Sequence, residues 1–329
     1  MSQYTPNDMP PAAPPRIPTS EECSERLRDH IKKESKGLAR IIKDDLLTSS
    51  AERAVSMFTN LVGLGCPGTE IAMNLIILTL YDIVILIDDS FSMKTDPKLL
   101  PNLEKLIEQI CAIYELANDK GVNSIRFMNH YEGGINVCKK DHVKSIIDSS
   151  PYTGVSRIGT ELQRRVLDEF VPRPGGDMTM TKPLLVLTFT DGIIEGEEVG
   201  LLTKVIMRCL LRLMSGPEKG GEEAVAFQFI CLGADEGAKR FLQFVDDHEN
   251  IGHRVDCVLP EYHKLHTIDQ EKWSDPDGSK WPAVSKILLG PLLANFDNHD
   301  EELNIPYTDI DFRGFKGIAK RSKDIPKDN

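Results

Sequence analysis

The stretch Ile83-Val84-Ile85-Leu86-Ile87 is a continuous run of aliphatic residues, and Asp88-Asp89-Ser90-Phe91-Ser92 follows it directly. A second run, Leu184-Leu185-Val186-Leu187, leads into Phe189-Thr190-Asp191-Gly192. Unbroken apolar runs of this length are typical of strands that are buried on both faces, as in the middle of a parallel sheet. The two runs are therefore predicted to be central strands, each of which ends in polar residues.

Short β-type runs alternate with amphipathic stretches from Tyr81 onward, which is the pattern of a parallel sheet with helices on both faces. The predicted strands are 81–87, 124–128, 134–137, 184–190, 224–232 and 254–259. The predicted helices lie near 99–118, 140–148, 160–170, 197–214, 235–247 and 281–296. This order predicts an α/β fold with a doubly wound, mostly parallel central sheet.

The segments on either side of this region have a different character. Residues 1–19 are polar and rich in proline without the pattern of a signal peptide, and they are predicted to be a disordered arm. Residues 20–80 show apolar residues at helical spacing and are predicted to form a helical N-terminal extension. The sheet domain is expected to span 81–298, and residues 299–329 to form a charged tail.

The composition narrows the classes of function. The net charge of −12 and the pI near 5.2 argue against general binding to nucleic acid or anionic lipid. The most apolar stretch, residues 71–87, is interrupted by Asn74 and Asp82 and is too short for a membrane span. Seven cysteines without paired spacing favour a reducing compartment. The predicted location is cytoplasmic, and the basic residues of the tail make a nuclear location the alternative.

The polar residues after the two apolar runs suggest a metal site. Asp88 and Asp191 are expected at the same edge of the sheet, where ligands bind in open α/β folds. Ser90 and Ser92 would add hydroxyls, and Thr160 could supply another from a neighbouring loop. Carboxylates and hydroxyls suit Mg²⁺, a hard cation that takes six oxygen ligands. The alternative is that the hydroxyls cap helices and the two acids are solvated.

Three motifs together resemble the metal-ion-dependent adhesion site of the von Willebrand factor A domain. They are Asp-x-Ser-x-Ser after one apolar strand, Gly-Thr before a helix, and Thr-Asp-Gly after a second apolar strand. The resemblance covers about Tyr81 to Asn298 and is greatest to intracellular members of fungal type. It implies that Mg²⁺, or alternatively Mn²⁺, is bound by Asp88, Ser90, Ser92, Thr160 and Asp191. It also implies a protein partner that presents a Glu or Asp carboxylate to the metal.

The leading functional hypothesis is a non-enzymatic protein-interaction module, whose partner and oligomeric state the sequence does not identify. One alternative is a Mg²⁺-dependent phosphohydrolase with Asp88 as the nucleophile. Phosphatases similar to haloacid dehalogenases have a second Asp two residues later, where this chain has Ser90. Another alternative is a scaffold subunit that binds its partner through the helices of residues 20–80.

Overall fold

The computed structural model describes residues 15–33, 36–131, 133–137, 140–173, 178–215, 221–259 and 280–297. Of the predicted disordered arm, residues 1–14 lie outside these ranges. The predicted tail, 299–329, lies entirely outside them. The predictions for those segments therefore stay predictions.

Five parallel strands form the central sheet of the described part of the chain. They are β1 Asp82–Ile87, β2 Ser124–Phe127, β3 Leu184–Thr190, β4 Val225–Cys231 and β5 Val255–Val258. Their order across the sheet is β2-β1-β3-β4-β5, and each neighbouring pair is parallel. Every residue of β3 is buried, as expected for a strand that is covered on both faces. The predicted doubly wound α/β fold is confirmed.

Helices surround this sheet. In chain order they are α1 Ser20–Lys33, α2 Asp44–Gly63, α3 Thr69–Leu75, α4 Leu99–Ala117, α5 Lys140–Ser149, α6 Ile158–Glu161, α7 Asp168–Phe170, α8 Leu201–Met214, α9 Glu236–Asp246, α10 Lys280–Leu289 and α11 Ala294–Asp297. A π-helical segment, Leu162–Leu167, joins α6 to α7. Within the described ranges, none of the helices is both long and apolar enough to cross a membrane.

The direction of the crossovers assigns the helices to two faces of the sheet. The chain moves from β1 to β2 through α4, and then runs the opposite way from β3 to β5 through α8 and α9. Crossovers between parallel strands are right-handed, so α4 covers one face, and α8 and α9 cover the other. The strand order therefore reverses between β1 and β3. At this switch point a crevice opens beyond the carboxyl ends of the two strands.

The N-terminal helices pack onto the sheet domain. Leu27 of α1 and Phe58 of α2 belong to the same buried cluster as Ile85 of β1. His30 Nε2 is hydrogen-bonded to the Tyr81 hydroxyl at 2.9 Å in the protein interior. Arg53 donates to the Leu116 carbonyl at 2.6 Å, which connects α2 to the end of α4. The helical N-terminal extension thus shares one hydrophobic core with the sheet.

Three predicted elements differ from the structure. The predicted helix 281–296 is interrupted by a 3₁₀ segment, Gly290–Leu292, which contains Pro291. The predicted strand 134–137 is wrong, because Val137 forms only an isolated antiparallel bridge with Val122. The chain turns here: Asn136 has a φ of 53°, and the Gly134 carbonyl accepts the Ile125 N–H at 2.9 Å. The predicted helix 197–214 begins only at Leu201, because the preceding Gly200 is left-handed.

Candidate metal centre

Two carboxylates come together where the strand order reverses. Asp88 follows β1 and Asp191 follows β3, and these strands are direct neighbours. The Asp88 N–H donates to the Phe189 carbonyl oxygen at 2.8 Å, so the pairing of the strands continues as far as the first acid. Ligands of open α/β sheets bind beyond the strand ends at such a switch point. This edge is therefore the candidate site.

Asp88 is completely buried and receives three hydrogen bonds. Its Oδ1 accepts the Ser90 N–H at 2.9 Å. Its Oδ2 accepts the hydroxyls of Ser156 at 2.6 Å and Thr190 at 2.7 Å. A carboxylate offers about four lone-pair positions. About one position therefore remains on Asp88 for a cation, or for a water molecule between the carboxylate and a cation.

The electrostatic surroundings of Asp88 favour a positive ligand. Burial raises the pKa of Asp88, because the charged carboxylate loses its hydration. The hydrogen bonds from Ser156, Ser90 and Thr190 lower the pKa and only partly offset burial. The negative charge of Asp191 raises the pKa further. A bound cation would relieve both the loss of hydration and the repulsion between the two acids.

Asp191 is held in a sharp turn at the end of β3. Its side chain is buried, and its Oδ1 accepts the Ile193 N–H at 3.0 Å. Between them lies Gly192, whose φ of +82° favours glycine. A Cβ at this glycine would also come within 2.7 Å of the Ala238 Cβ. The Thr-Asp-Gly motif thus has a physical basis, since the glycine allows the turn that orients the acid.

Ser90 and Ser92 place two hydroxyls beside Asp88. Their Oγ atoms are 3.0 Å apart, and Ser90 is buried while Ser92 is half-buried. Phe91 lies between them in sequence, but its side chain is 64% exposed. The two serines therefore face inward together, and the phenyl ring projects into solvent at the rim of the site.

Thr160 lies in the short helix α6 and is half-buried. Its hydroxyl donates to Glu197 Oε2 at 2.9 Å. The preceding Gly159 packs against the start of α8, where a Cβ would come within 2.7 Å of the Leu202 nitrogen. Glycine is therefore required next to Thr160 because α6 and α8 approach so closely.

Asp89 has a different role from its neighbour Asp88. Its Oδ1 accepts the Asn129 backbone N–H at 2.7 Å and the Asn129 side-chain amide at 3.2 Å. Its Oδ2 accepts the His130 N–H at 3.0 Å and the Ser150 hydroxyl at 2.8 Å. These four donors fill the roughly four acceptor positions of the Asp89 carboxylate. Asp89 therefore connects the ends of β1 and β2 and is not a candidate ligand.

The structure joins three of the five predicted ligands, Asp88, Ser90 and Ser92, by hydrogen bonds. Asp191 follows the neighbouring strand, close enough for its charge to raise the pKa of Asp88. Thr160 is linked to them through its own loop, because Ser156 in that loop donates to Asp88. The sequence interpretation missed Ser156, Thr190 and Glu197. Thr190 could have been suspected from the sequence, because it directly precedes Asp191 in the Thr-Asp-Gly motif. Ser156 and Glu197 lie in loops whose meeting cannot be read from their spacing.

The donor chemistry of the site fits a hard cation. Two carboxylates would balance the charge of a divalent ion, and neutral hydroxyls with water could complete six oxygen ligands. Among the described residues, no group of three or more His, Cys, Asp or Glu side chains is arranged to hold a metal. A site here would therefore depend on hydroxyl oxygens as well as on Asp88 and Asp191.

The chain was also compared with known proteins by sequence. No model of a protein family matches it, and no curated protein sequence matches it.

Proposed function

We propose that this chain is a protein-interaction module of von Willebrand factor A type that depends on a divalent cation. Mg²⁺, or Mn²⁺ in its place, would be bound by Asp88, Asp191, Ser90, Ser92 and Thr160. The bound ion supplies a Lewis-acidic position for a Glu or Asp carboxylate of a partner protein. The main support is that two buried carboxylates and a pair of serine hydroxyls lie together at the switch point of the sheet.

The geometry around Asp88 argues against the phosphohydrolase alternative. A nucleophilic carboxylate must approach a phosphorus atom, but Asp88 is fully buried and both its oxygens accept hydrogen bonds. The residue two positions later is Ser90, which cannot act as a general acid near neutral pH. We therefore propose that the chain is not an enzyme.

The packing of the N-terminal helices bears on the scaffold alternative. Apolar residues of α1 and α2, such as Leu27 and Phe58, are buried in the core of the sheet domain. A partner of these helices would have to use their polar outer faces, which form weaker hot spots than an apolar groove. The metal site is therefore the better candidate for binding.

Calorimetric titration with Mg²⁺ and Mn²⁺ tests the metal site. The change Asp191→Asn keeps the size of the side chain and an oxygen for the Ile193 N–H, but it removes one of the two charges. We expect the parent to bind one ion, and the variant to bind it at least about 10-fold more weakly. The matched control is Asp235→Asn, since Asp235 follows β4 at the same edge of the sheet and caps α9.

Partner capture from cells, quantified by mass spectrometry, tests the interaction. We expect proteins that bind the parent in Mg²⁺ to be lost both in EDTA and with Asp191→Asn. Folding of the variant is verified beforehand from its circular dichroism and melting temperature. If the same partners are retained in all three conditions, the metal bridge is wrong and the scaffold hypothesis replaces it.

A further inference from the structure

Glu197 makes three hydrogen bonds to the residues that form the Gly-Thr motif. Its Oε1 accepts the Gly159 N–H at 2.9 Å. Its Oε2 accepts both the Thr160 N–H at 2.8 Å and the Thr160 hydroxyl at 2.9 Å. The carboxylate thus holds the backbone and the side chain of a predicted metal ligand at the same time.

The acidic neighbours of Glu197 do not share this arrangement. Glu195 is exposed, and its backbone N–H donates to the Ser156 carbonyl at 2.9 Å. The Glu198 side chain is 82% exposed and forms a long ion pair with Lys204 at 3.6 Å. Glu197 is half-buried, and its carboxylate reaches across to α6. Its position is therefore specific and is not a general property of an acidic loop.

The chemical consequence lies in the direction of the Thr160 hydroxyl bond. An ionised carboxylate can only accept hydrogen bonds, so the Thr160 hydroxyl must donate its proton to Glu197. The hydroxyl oxygen then keeps its lone pairs available, which is the state in which an oxygen binds a cation. Carboxylates that hold a ligand from outside the ligand shell commonly increase metal affinity in this way.

We infer that Glu197 is a positioning residue of the metal centre, which orients Thr160 so that its hydroxyl oxygen faces the cation. The inference rests on the proposed function, because it requires that Thr160 binds the ion. Glu197 acts through Thr160 and is not itself a ligand. Its negative charge near the site is a smaller, additional contribution.

A double-mutant cycle separates this role from others. Glu197→Gln keeps the size of the side chain. The new amide NH₂ can donate to the Thr160 hydroxyl, which reverses the direction of this hydrogen bond. Thr160→Val keeps the shape and removes the hydroxyl. The parent, both single variants and the double variant are titrated with Mg²⁺ and with Mn²⁺ by calorimetry, and their melting temperatures are measured in EDTA. The control is Glu198→Gln, which removes the same charge from an exposed neighbour.

We expect Glu197→Gln to weaken binding of the ion by about 10-fold. In the Thr160→Val background the same change should have little further effect, because the hydroxyl that it acts on is absent. Glu198→Gln should remain within about twofold of the parent, because the charge of an exposed side chain is screened.

Three results would overturn the inference. If Glu197→Gln lowers the melting temperature in EDTA but leaves the affinity for the ion unchanged, Glu197 is only a structural contact. If Glu197→Gln weakens binding of the ion by the same factor in the Thr160→Val background as in the parent, Glu197 acts independently of Thr160. If the parent binds neither ion, the proposed function fails and the inference fails with it, whereas the first two results leave the metal site standing.

Discussion

Asp88 and Asp89 are adjacent at the end of β1, but they differ in the hydrogen bonds that they accept. Asp89 is saturated by four donors from the segments that follow β2 and α5, whereas Asp88 retains about one acceptor position. Both are buried, so exposure does not distinguish them. What distinguishes them is the number and origin of their hydrogen bonds.

Ser156 should be important for the stability of the metal-free protein. Its hydroxyl donates to the buried Asp88 carboxylate at 2.6 Å. We expect Ser156→Ala to lower the free energy of unfolding by about 1.5–3 kcal/mol at neutral pH in EDTA, because a hydrogen bond to a buried charge is lost. Urea denaturation measures this change.

The control is Ser215→Ala, since the exposed Ser215 hydroxyl donates to the neutral Leu211 carbonyl at 2.7 Å. This change should alter the free energy of unfolding by no more than about 0.5 kcal/mol. Equal effects of the two substitutions would contradict the role assigned to Ser156.

At the residue scale, the sequence suggests the five proposed ligands but not the residues that hold them in place. The five proposed ligands are recognisable because each follows a strand or precedes a helix in a short motif. Ser156 lies 68 residues from Asp88, and Glu197 lies 37 residues from Thr160. No local pattern encodes such pairs, because they arise only when the loops meet in the folded protein.

At the scale of elements, the contact between α6 and α8 sets the position of Thr160. A Cβ at residue 159 would lie 2.7 Å from the Leu202 nitrogen and 3.0 Å from the Leu201 carbonyl carbon. These are backbone atoms and cannot rotate away. We therefore expect Gly159→Ala to push the helices apart, lower the free energy of unfolding by about 1–3 kcal/mol, and weaken Mg²⁺ binding by about 10-fold.

The matched control is Gly63→Ala at the end of α2, where an added Cβ would meet no heavy atom within 4 Å. That substitution should leave Mg²⁺ binding unchanged and be neutral or stabilising by up to about 1 kcal/mol. Thermal denaturation and calorimetry of both variants provide the comparison. Normal Mg²⁺ binding by Gly159→Ala would show that the close approach of the helices does not position Thr160.

Strands were easier to predict than turns and helix starts. The bounds of β3 agree with the prediction of 184–190, because its continuous apolar run has a single interpretation. The predicted strand 134–137 failed because glycine and Asn136 direct the chain into a turn, despite the apolar residues beside them. The π-helical segment Leu162–Leu167 was not predicted, since an amphipathic pattern does not distinguish π from α turns.

At the scale of the whole molecule, a buried histidine connects the N-terminal extension to the sheet domain. His30 of α1 is hydrogen-bonded to Tyr81, which immediately precedes β1. Burial, together with the nearby positive charges of Arg26 and Arg254, lowers the pKa of His30 from 6.5 to about 3. The folded protein therefore keeps this histidine neutral.

Acid should accordingly destabilise the fold. Below pH 6.5 the unfolded chain binds a proton at His30 that the folded protein does not bind, so the free energy of unfolding falls as the pH falls. Because of His30, the free energy of unfolding falls by up to about 1.4 kcal/mol for each pH unit, until the pH reaches the pKa of His30 in the folded protein. We expect His30→Leu to reduce the slope of stability against pH between 6.5 and 4.

The measurement is urea denaturation of parent and variant at several pH values. The variant loses the hydrogen bond to Tyr81, so a lower stability at pH 7 is expected. This does not affect the test, because only the slopes of stability against pH are compared. His248→Leu is the control, because His248 follows α9 and is only half-buried. Parallel curves for parent and His30→Leu would show that this histidine does not contribute to acid sensitivity.

The central position of β1 has a consequence for how the protein is made. β1 leaves the ribosome well before its partner β3, since Asp88 and Thr190 are 102 residues apart. At a synthesis rate of about 5–20 residues per second, the side of β1 that pairs with β3 stays unpaired for about 5–20 s, although β2 can pair with the other side earlier. During that interval the strand is exposed to aggregation and to chaperones. The proposed cation site is incomplete over the same interval, so a metal ion bound there could not guide the first stages of folding.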